Sequence, residues 1–129
     1  MRHPILLAAV AATGLAACAA TAGNMADGIA SRYTPLGTVL TNEAGMTLYT
    51  FDKDKPGISN CYDGCAMKWP PVLATAGGKL AAGYSLVNRK DGTHQIAYHD
   101  MPLYTWFKDS KPGDTTGDGV KGVWHVAKP

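Results

Sequence analysis

Charge, thiols and catalytic signatures are all scarce in this chain. Its 12 Lys and Arg residues stand against 10 Asp and Glu, a formal net charge of +2. No basic run concentrates that excess, so the sequence carries no footprint for a nucleic-acid partner. It has no G-x-S-x-G, no H-E-x-x-H and no phosphate-binding glycine loop, which removes the usual grounds for acyl transfer, zinc-dependent hydrolysis and nucleotide chemistry. There are 3 cysteines. Cys61 and Cys65 are spaced C-x-x-x-C, not the C-x-x-C of a thiol oxidoreductase, and Ala66 stands where a c-type haem would need histidine. The expectation is a protein that is not an enzyme and holds no cofactor.

A membrane-spanning run is missing too. Ile5 to Leu15 is apolar and Ala-rich, but short of the ~20 residues that a spanning helix needs. Arg2 and His3 precede it and Leu15-Ala16-Ala17-Cys18 follows. That is the form of an export signal ending in a lipobox: leucine, two small residues, then a cysteine that is acylated and becomes the new N-terminus. Residues 1–17 are read as a lipoprotein signal peptide, Cys18 as the lipidated residue, 18–32 as a flexible tether and 33–129 as one folded domain. Losing Arg2 lowers the charge from +2 to +1. The lipid bilayer is then the first expected partner, held through acylated Cys18, each buried methylene adding about 0.8 kcal/mol. Ala19 after the cysteine, rather than Asp, points to an outer membrane and a domain facing the periplasm. A protein or small-molecule partner is left unspecified. In that oxidising compartment Cys61 and Cys65 are expected to pair as a disulfide that shapes a local turn.

Repetition is what the chain does have. Met46–Trp69 returns 55 residues later as Met101–Trp124, with Leu48/Leu103, Tyr49/Tyr104, Thr50/Thr105, Lys53/Lys108, Asp54/Asp109, Asp63/Asp118, Gly64/Gly119 and Trp69/Trp124 identical, and Gly37/Gly92 and Thr38/Thr93 upstream. No gap is needed, so the chain holds a duplicated unit. Within each unit, Gly37–Thr41 and Met46–Phe51 read as strands in the first copy. Tyr84–Arg89, His94–Tyr98, Leu103–Phe107 (opened by Pro102) and Val123–Val126 read as strands in the second. Lys90-Asp91-Gly92-Thr93 carries the Asp-Gly pair of a type I′ turn. Ser59 is placed to cap a short helical segment running toward Trp69, and Val72–Gly83 is the Gly/Ala-rich loop between halves. The fold class is mainly β: a small single domain of two pseudo-symmetric hairpin-plus-loop repeats, about 37–71 and 92–126, with six strands and one short helical segment. Neither half is long enough to bury its apolar faces alone.

The two copies, Tyr49-Thr50-Phe51-Asp52-Lys53-Asp54 and Tyr104-Thr105-Trp106-Phe107-Lys108-Asp109, both match Y-x-[FWY]-x-x-D. The chain resembles the bacterial lipoprotein family defined by that motif, also described as a secreted repeat of unknown function. The C-x-x-x-C-A-x-x-W-P-P, D-G-x-x-Q-I-A-Y and P-G-D-x-x-G-D-G-x-x-x-W-H segments are similar to the same family, and the likeness runs from about Gly37 to Trp124. It implies an envelope location and a duplicated architecture, and no activity.

The motif residues have a plain structural reading. Tyr49 with Phe51, and Tyr104 with Trp106, fall on one strand face and supply apolar area plus a phenol that needs a polar partner. Asp54 and Asp109 lie just past the strands, where a carboxylate can accept backbone N–H groups and hold a turn. Trp69 and Trp124 are expected to fold back over the aromatic pairs. The functional reading of these rings is an exposed platform for a planar or glycan-like ligand. The expected function is a non-enzymatic binding or structural role with an unspecified partner; the alternative class is a metal or redox carrier, with copper or another soft metal favoured over calcium. Its candidate ligands are His99, Met101 and His125, while Asp114–Gly119 fails as an EF-hand because His125 stands where the bidentate Glu belongs.

Overall fold

A computed structural model of the chain describes residues 28–129. The signal segment, Cys18 and the tether up to residue 27 lie outside the described residues. Seven strands are present: β1 (Ala30–Thr34), β2 (Gly37–Thr41), β3 (Tyr49–Phe51), β4 (Tyr84–Asn88), β5 (His94–Tyr98), β6 (Met101–Pro102) and β7 (Trp124–Val126). One helix, α1 (Gly64–Lys68), and a 3-10 turn at Val120–Gly122 complete the regular structure among these residues. The architecture is mainly β, as the periodicity indicated. The folded chain starts earlier than Tyr33, however. Ala30 to Arg32 pair with Thr41 to Val39 in an antiparallel hairpin, and Ile29 is buried, so residues 29–32 belong to the domain and not to a tether.

The strands form three small sheets, β1–β2, β3–β7 and β4–β5–β6. The pairing of β3 with β7 joins the first repeat to the last strand of the second, with Tyr49 opposite Val126 and Phe51 opposite Trp124. The same exchange runs the other way. Residues 68–72 lie along Leu103–Phe107, where Val72 N–H donates to Leu103 O (2.9 Å), Thr105 N–H to Pro70 O (2.9 Å) and Phe107 N–H to Lys68 O (2.9 Å). Their counterparts at the 55-residue offset are Ala127 N–H to Leu48 O (2.8 Å) and Asp52 N–H to Val123 O (2.8 Å). At the centre Tyr49 and Tyr104 bond each other in both directions, N to O at 2.8 and 3.0 Å. These reciprocal bonds define a pseudo-twofold axis between the tyrosines. Each repeat hands its closing strand to its twin, so either half alone would leave backbone groups unpaired that folding requires to be satisfied.

Alternation along β3 separates the core into two parts. Leu48 and Leu103 face an aliphatic cluster with Ile29, Leu40, Ile96 and Ala127, whereas Tyr49, Phe51, Tyr104, Trp69 and Trp124 with Cys61 form an aromatic one. Three local expectations are corrected. The β4–β5 turn is not type I′, since Asp91 keeps a negative φ and only Gly92 is left-handed (φ 89°). The two-residue positive-φ loop lies at His99-Asp100 (φ 49° and 69°), between β5 and β6, where no Asn-Gly signal marks it. Ser59 does not cap α1; Asp63 stands at that helix start, and the Ser59 hydroxyl is spent in the core. Pro102 lies within β6, opposite Ala97, rather than opening a continuous strand over Leu103–Phe107.

Candidate functional site

The motif residues meet at the axis in a crossed pattern. The Tyr49 hydroxyl donates to Asp109 Oδ2 at 2.7 Å, and the Tyr104 hydroxyl donates to Asp54 Oδ2 at 2.7 Å. Each phenol is thus held by the acid of the other repeat. The second oxygen of each acid pins its own loop: Asp54 Oδ1 accepts Asn60 N–H at 2.7 Å, and Asp109 Oδ1 accepts Thr116 N–H and hydroxyl at 3.0 and 2.6 Å. Burial, reinforced by the aspartate at the hydroxyl, pushes both phenols above the ordinary tyrosine range. Burial also raises the Asp54 carboxyl, opposed by its bonds from Tyr104 and Asn60 and by the Arg89 charge. Phenols held this way keep their protons, and their geometry fits clasping better than proton transfer.

Around this clasp the two halves differ. Beside Tyr104, Ser59 Oγ lies 2.6 Å from the phenol and accepts from Arg89 Nη1 at 2.9 Å. Arg89 also donates to Gln95 Oε1 (2.8 Å) and Cys61 O (2.8 Å), under the Tyr62 ring at 4.2 Å. Beside Tyr49 the corresponding donor is Gly117 N–H, 3.2 Å from the phenol oxygen. Only glycine fits there: a Cβ at Gly117 would sit 2.9 Å from both Trp106 and Trp69 and 3.0 Å from Tyr49.

Below the clasp lies a column of four rings. Phe51 stacks on Trp124 (4.2 Å, 9°), Trp124 on Trp69 (3.7 Å, 2°) and Trp69 on Trp106 (3.9 Å, 30°). The axis passes between the two central indoles, and the tyrosines meet them edge-on, Tyr49 to Trp69 at 5.4 Å and Tyr104 to Trp124 at 5.2 Å. Helix α1 delivers Trp69 through the bond from its N–H to Cys65 O (2.8 Å), and the Cys61–Cys65 disulfide holds that helix to the column. Where the column reaches the surface it lines a groove of about 420 Å³. Trp106 is the least buried of the four rings, and Lys53, Lys68 and Lys121 stand at the rim.

The model of a family described as a secreted repeat of unknown function matches residues 31–73 and 85–128. The chain belongs to that family. No curated protein and no solved structure matches it. As a secreted repeat, the domain resides in the envelope or outside the cell. The two matched segments coincide with the two halves related by the axis, and each ends just past the tryptophan strand that crosses to its twin.

The remaining candidate residues of this secreted-repeat chain lie apart from the clasp. His99 sits in the β5–β6 turn with its ring stacked on Tyr98 at 3.9 Å, and Met101 begins β6. His125 is on β7, in a different sheet, with Nε2 2.8 Å from Asp52 Oδ2. Among the described residues no three His, Cys, Asp or Glu side chains converge as a metal-binding group. In the Asp114–Gly119 loop, Asp114 accepts from Lys111 Nζ at 2.7 Å and from Ser110 N–H at 2.8 Å, and the Lys111 ammonium holds its carboxyl below the usual range. Asp118 Oδ1 accepts Val126 N–H at 3.0 Å. Sequence reasoning singled out the rings and acids, gave Ser59 only a helix-capping role, and gave no site role to Arg89, Gln95, Gly117 or the three rim lysines. The one available signal was the fixed Tyr-to-Asp spacing, 49 to 54 and 104 to 109, which does not reveal that the partners cross.

Proposed function

We propose that the protein is a non-enzymatic binding module held on the envelope membrane by acylated Cys18, on the periplasmic side of an outer membrane. The observation that carries the binding reading is the groove at the pseudo-twofold axis, where a column built by both repeats comes to the surface between lysines. The groups best suited to proton chemistry support the same reading. The two buried phenols are bonded to aspartates, and among the described residues no buried side-chain nitrogen or oxygen lacks a partner. The anchor rests on Leu15-Ala16-Ala17-Cys18, followed by a short polar segment before the domain begins.

Two measurements test the two parts separately. Labelled palmitate should enter the wild-type chain, which pellets with membranes, and should not enter Cys18→Ala; a wild-type chain that takes no label, or equal labelling of the variant, refutes the anchor. A thermal-shift panel of small aromatics, sugars, peptides and divalent metals tests the binding module. At least one ligand should raise Tm by several degrees, and a flat response across the panel refutes binding.

A further inference from the structure

The two halves that the axis relates are not equivalent where they line the groove. At the 55-residue offset its walls pair Phe51 with Trp106, Cys65 with Val120, and Trp69 with Trp124, all present in the lining. The groove therefore straddles the axis. Its charges do not follow the symmetry. Lys68 stands opposite Val123, and Lys121 takes the position that Ala66 holds in the other repeat. Two cations thus occur at positions where the twin carries an apolar side chain, while the third, Lys53, has a lysine twin in Lys108.

Lys121 also occupies an unusual backbone. Its φ of 54° and ψ of 15° are left-handed, between Val120 and Gly122, in a turn where glycine or asparagine would be less strained. Strain of this kind at a non-glycine residue gathers at ligand sites, because the surrounding structure must hold it. No lining residue is Asp, Glu, Asn or Gln. The groove therefore offers no side-chain carboxylate or amide to accept the hydroxyls of a sugar, and its charged lining residues, all lysines, repel a cation that the indole faces would otherwise attract. What remains is aromatic surface, two valines, a disulfide sulfur and ammonium groups.

We infer that this groove binds a flat aromatic carboxylate, its ring system against the tryptophan column and its carboxylate at Lys68 and Lys121. This assignment rests on the binding-module reading and supplies its ligand class. A volume of about 420 Å³ lies within the range of small-molecule sites and suits a fused two- or three-ring compound. Ring-on-ring contact gives the orientation, and the lysines select the sign of charge.

The experiment uses the exported full-length Cys18→Ala chain and 2-naphthoate as probe. All 3 tryptophans of the chain belong to the column, so their indole N–H resonances report on this site alone. Saturable shifts are expected with 2-naphthoate, and none with cyclohexanecarboxylate or (2-naphthyl)trimethylammonium. The double variant Lys68→Gln/Lys121→Gly should bind about tenfold more weakly, the product of two exposed charge contacts. Its Tm should be unchanged or higher, since a glycine in place of Lys121 relieves the left-handed strain. Equal binding of the cationic or the saturated analogue, undiminished affinity in the variant, or no saturable shift at all would each overturn the assignment. A hit elsewhere in the thermal-shift panel alongside a failed naphthoate titration sinks the ligand class and leaves the binding module standing. A flat panel sinks both.

Discussion

If the repeats are held by crossed tyrosine–aspartate bonds, energetic coupling should run between repeats and not within them. The perturbation is a pair of double-mutant cycles. Tyr49→Phe keeps the ring edge-on to Trp69 at 5.4 Å but removes the hydroxyl that donates to Asp109 and accepts from Gly117. A hydrogen bond to a charged group contributes about 1.5–3 kcal/mol, and a buried N–H left without an acceptor costs a further 1–3 kcal/mol or so. The single substitution should therefore destabilise by roughly 2–4 kcal/mol, the Gly117 contact being long enough to hold the total below the sum. Asp109→Asn leaves one acceptor oxygen, which the Thr116 N–H and hydroxyl hold, so the amide turns an N–H toward Tyr49 and the charged phenol bond is lost. The cycle Tyr49→Phe with Asp109→Asn should show coupling of about 1 kcal/mol or more, whereas Tyr49→Phe with Asp54→Asn should be additive to within about 0.5 kcal/mol. Urea unfolding with the disulfide intact measures all of these values. Coupling that is equal in the two cycles, or larger within the repeat, would refute the crossed clasp.

Three other perturbations test neighbouring parts of the structure. Gly117→Ala, with its new methyl about 2.9 Å from two indoles, should cost roughly 1–3 kcal/mol by overpacking and broaden the indole resonances; wild-type stability would mean that the column is looser than described. Reducing the disulfide, which closes a very short loop between Cys61 and Cys65, should lower stability by about 2 kcal/mol. Alkylation of both thiols in the folded, unreduced protein would show that the bond does not form. Alkali tests the buried phenols. Tyr49 and Tyr104 ionise above the ordinary 10.0 when folded and near it when unfolded. Above pH 10 the native state therefore holds more protons than the unfolded one, and stability falls as pH rises. Of the 6 tyrosines, these should contribute to phenolate absorbance only as the fold is lost. Their titration before unfolding would contradict the clasp.

How much of this was legible in the chain depends on what the residues see locally. The aromatic and acidic positions were legible because Tyr49, Phe51 and Asp54 recur without a gap as Tyr104, Trp106 and Asp109. The fold-back of Trp69 and Trp124 followed from that repetition. The exchange of closing strands was not, because β7 reads as a strand with or without β3 as its partner. Strand β1 was hidden for a different reason: four of its five residues face solvent, so Ala30 to Tyr33 show no apolar alternation. The positive-φ turn was hidden behind His99-Asp100, residues that tolerate the left-handed region without announcing it. Asp91-Gly92 announced such a turn and formed another, since Gly92 N–H closes onto Arg89 O and leaves only the glycine left-handed. Arg89 itself reaches partners 28 and 30 residues away, beyond any local pattern.

The duplication also separates what stabilises the protein from what could give it a task. Every feature that obeys the axis, namely the crossed phenols, the paired acids, the central indoles and the traded strands, accounts for the fold. A symmetric frame presents the same surface twice unless one copy departs from it. The departures are the Cys61–Cys65 bond and the Arg89 network, which brace the first loop, and Lys68 and Lys121, which line the groove where the twin positions are apolar. A lysine in strained backbone beside three buried or half-buried tryptophans is costly for a residue that only meets water. It is accounted for if an anion completes the proposed site, and so the broken symmetry, more than the repeat itself, is where the proposal must be tested.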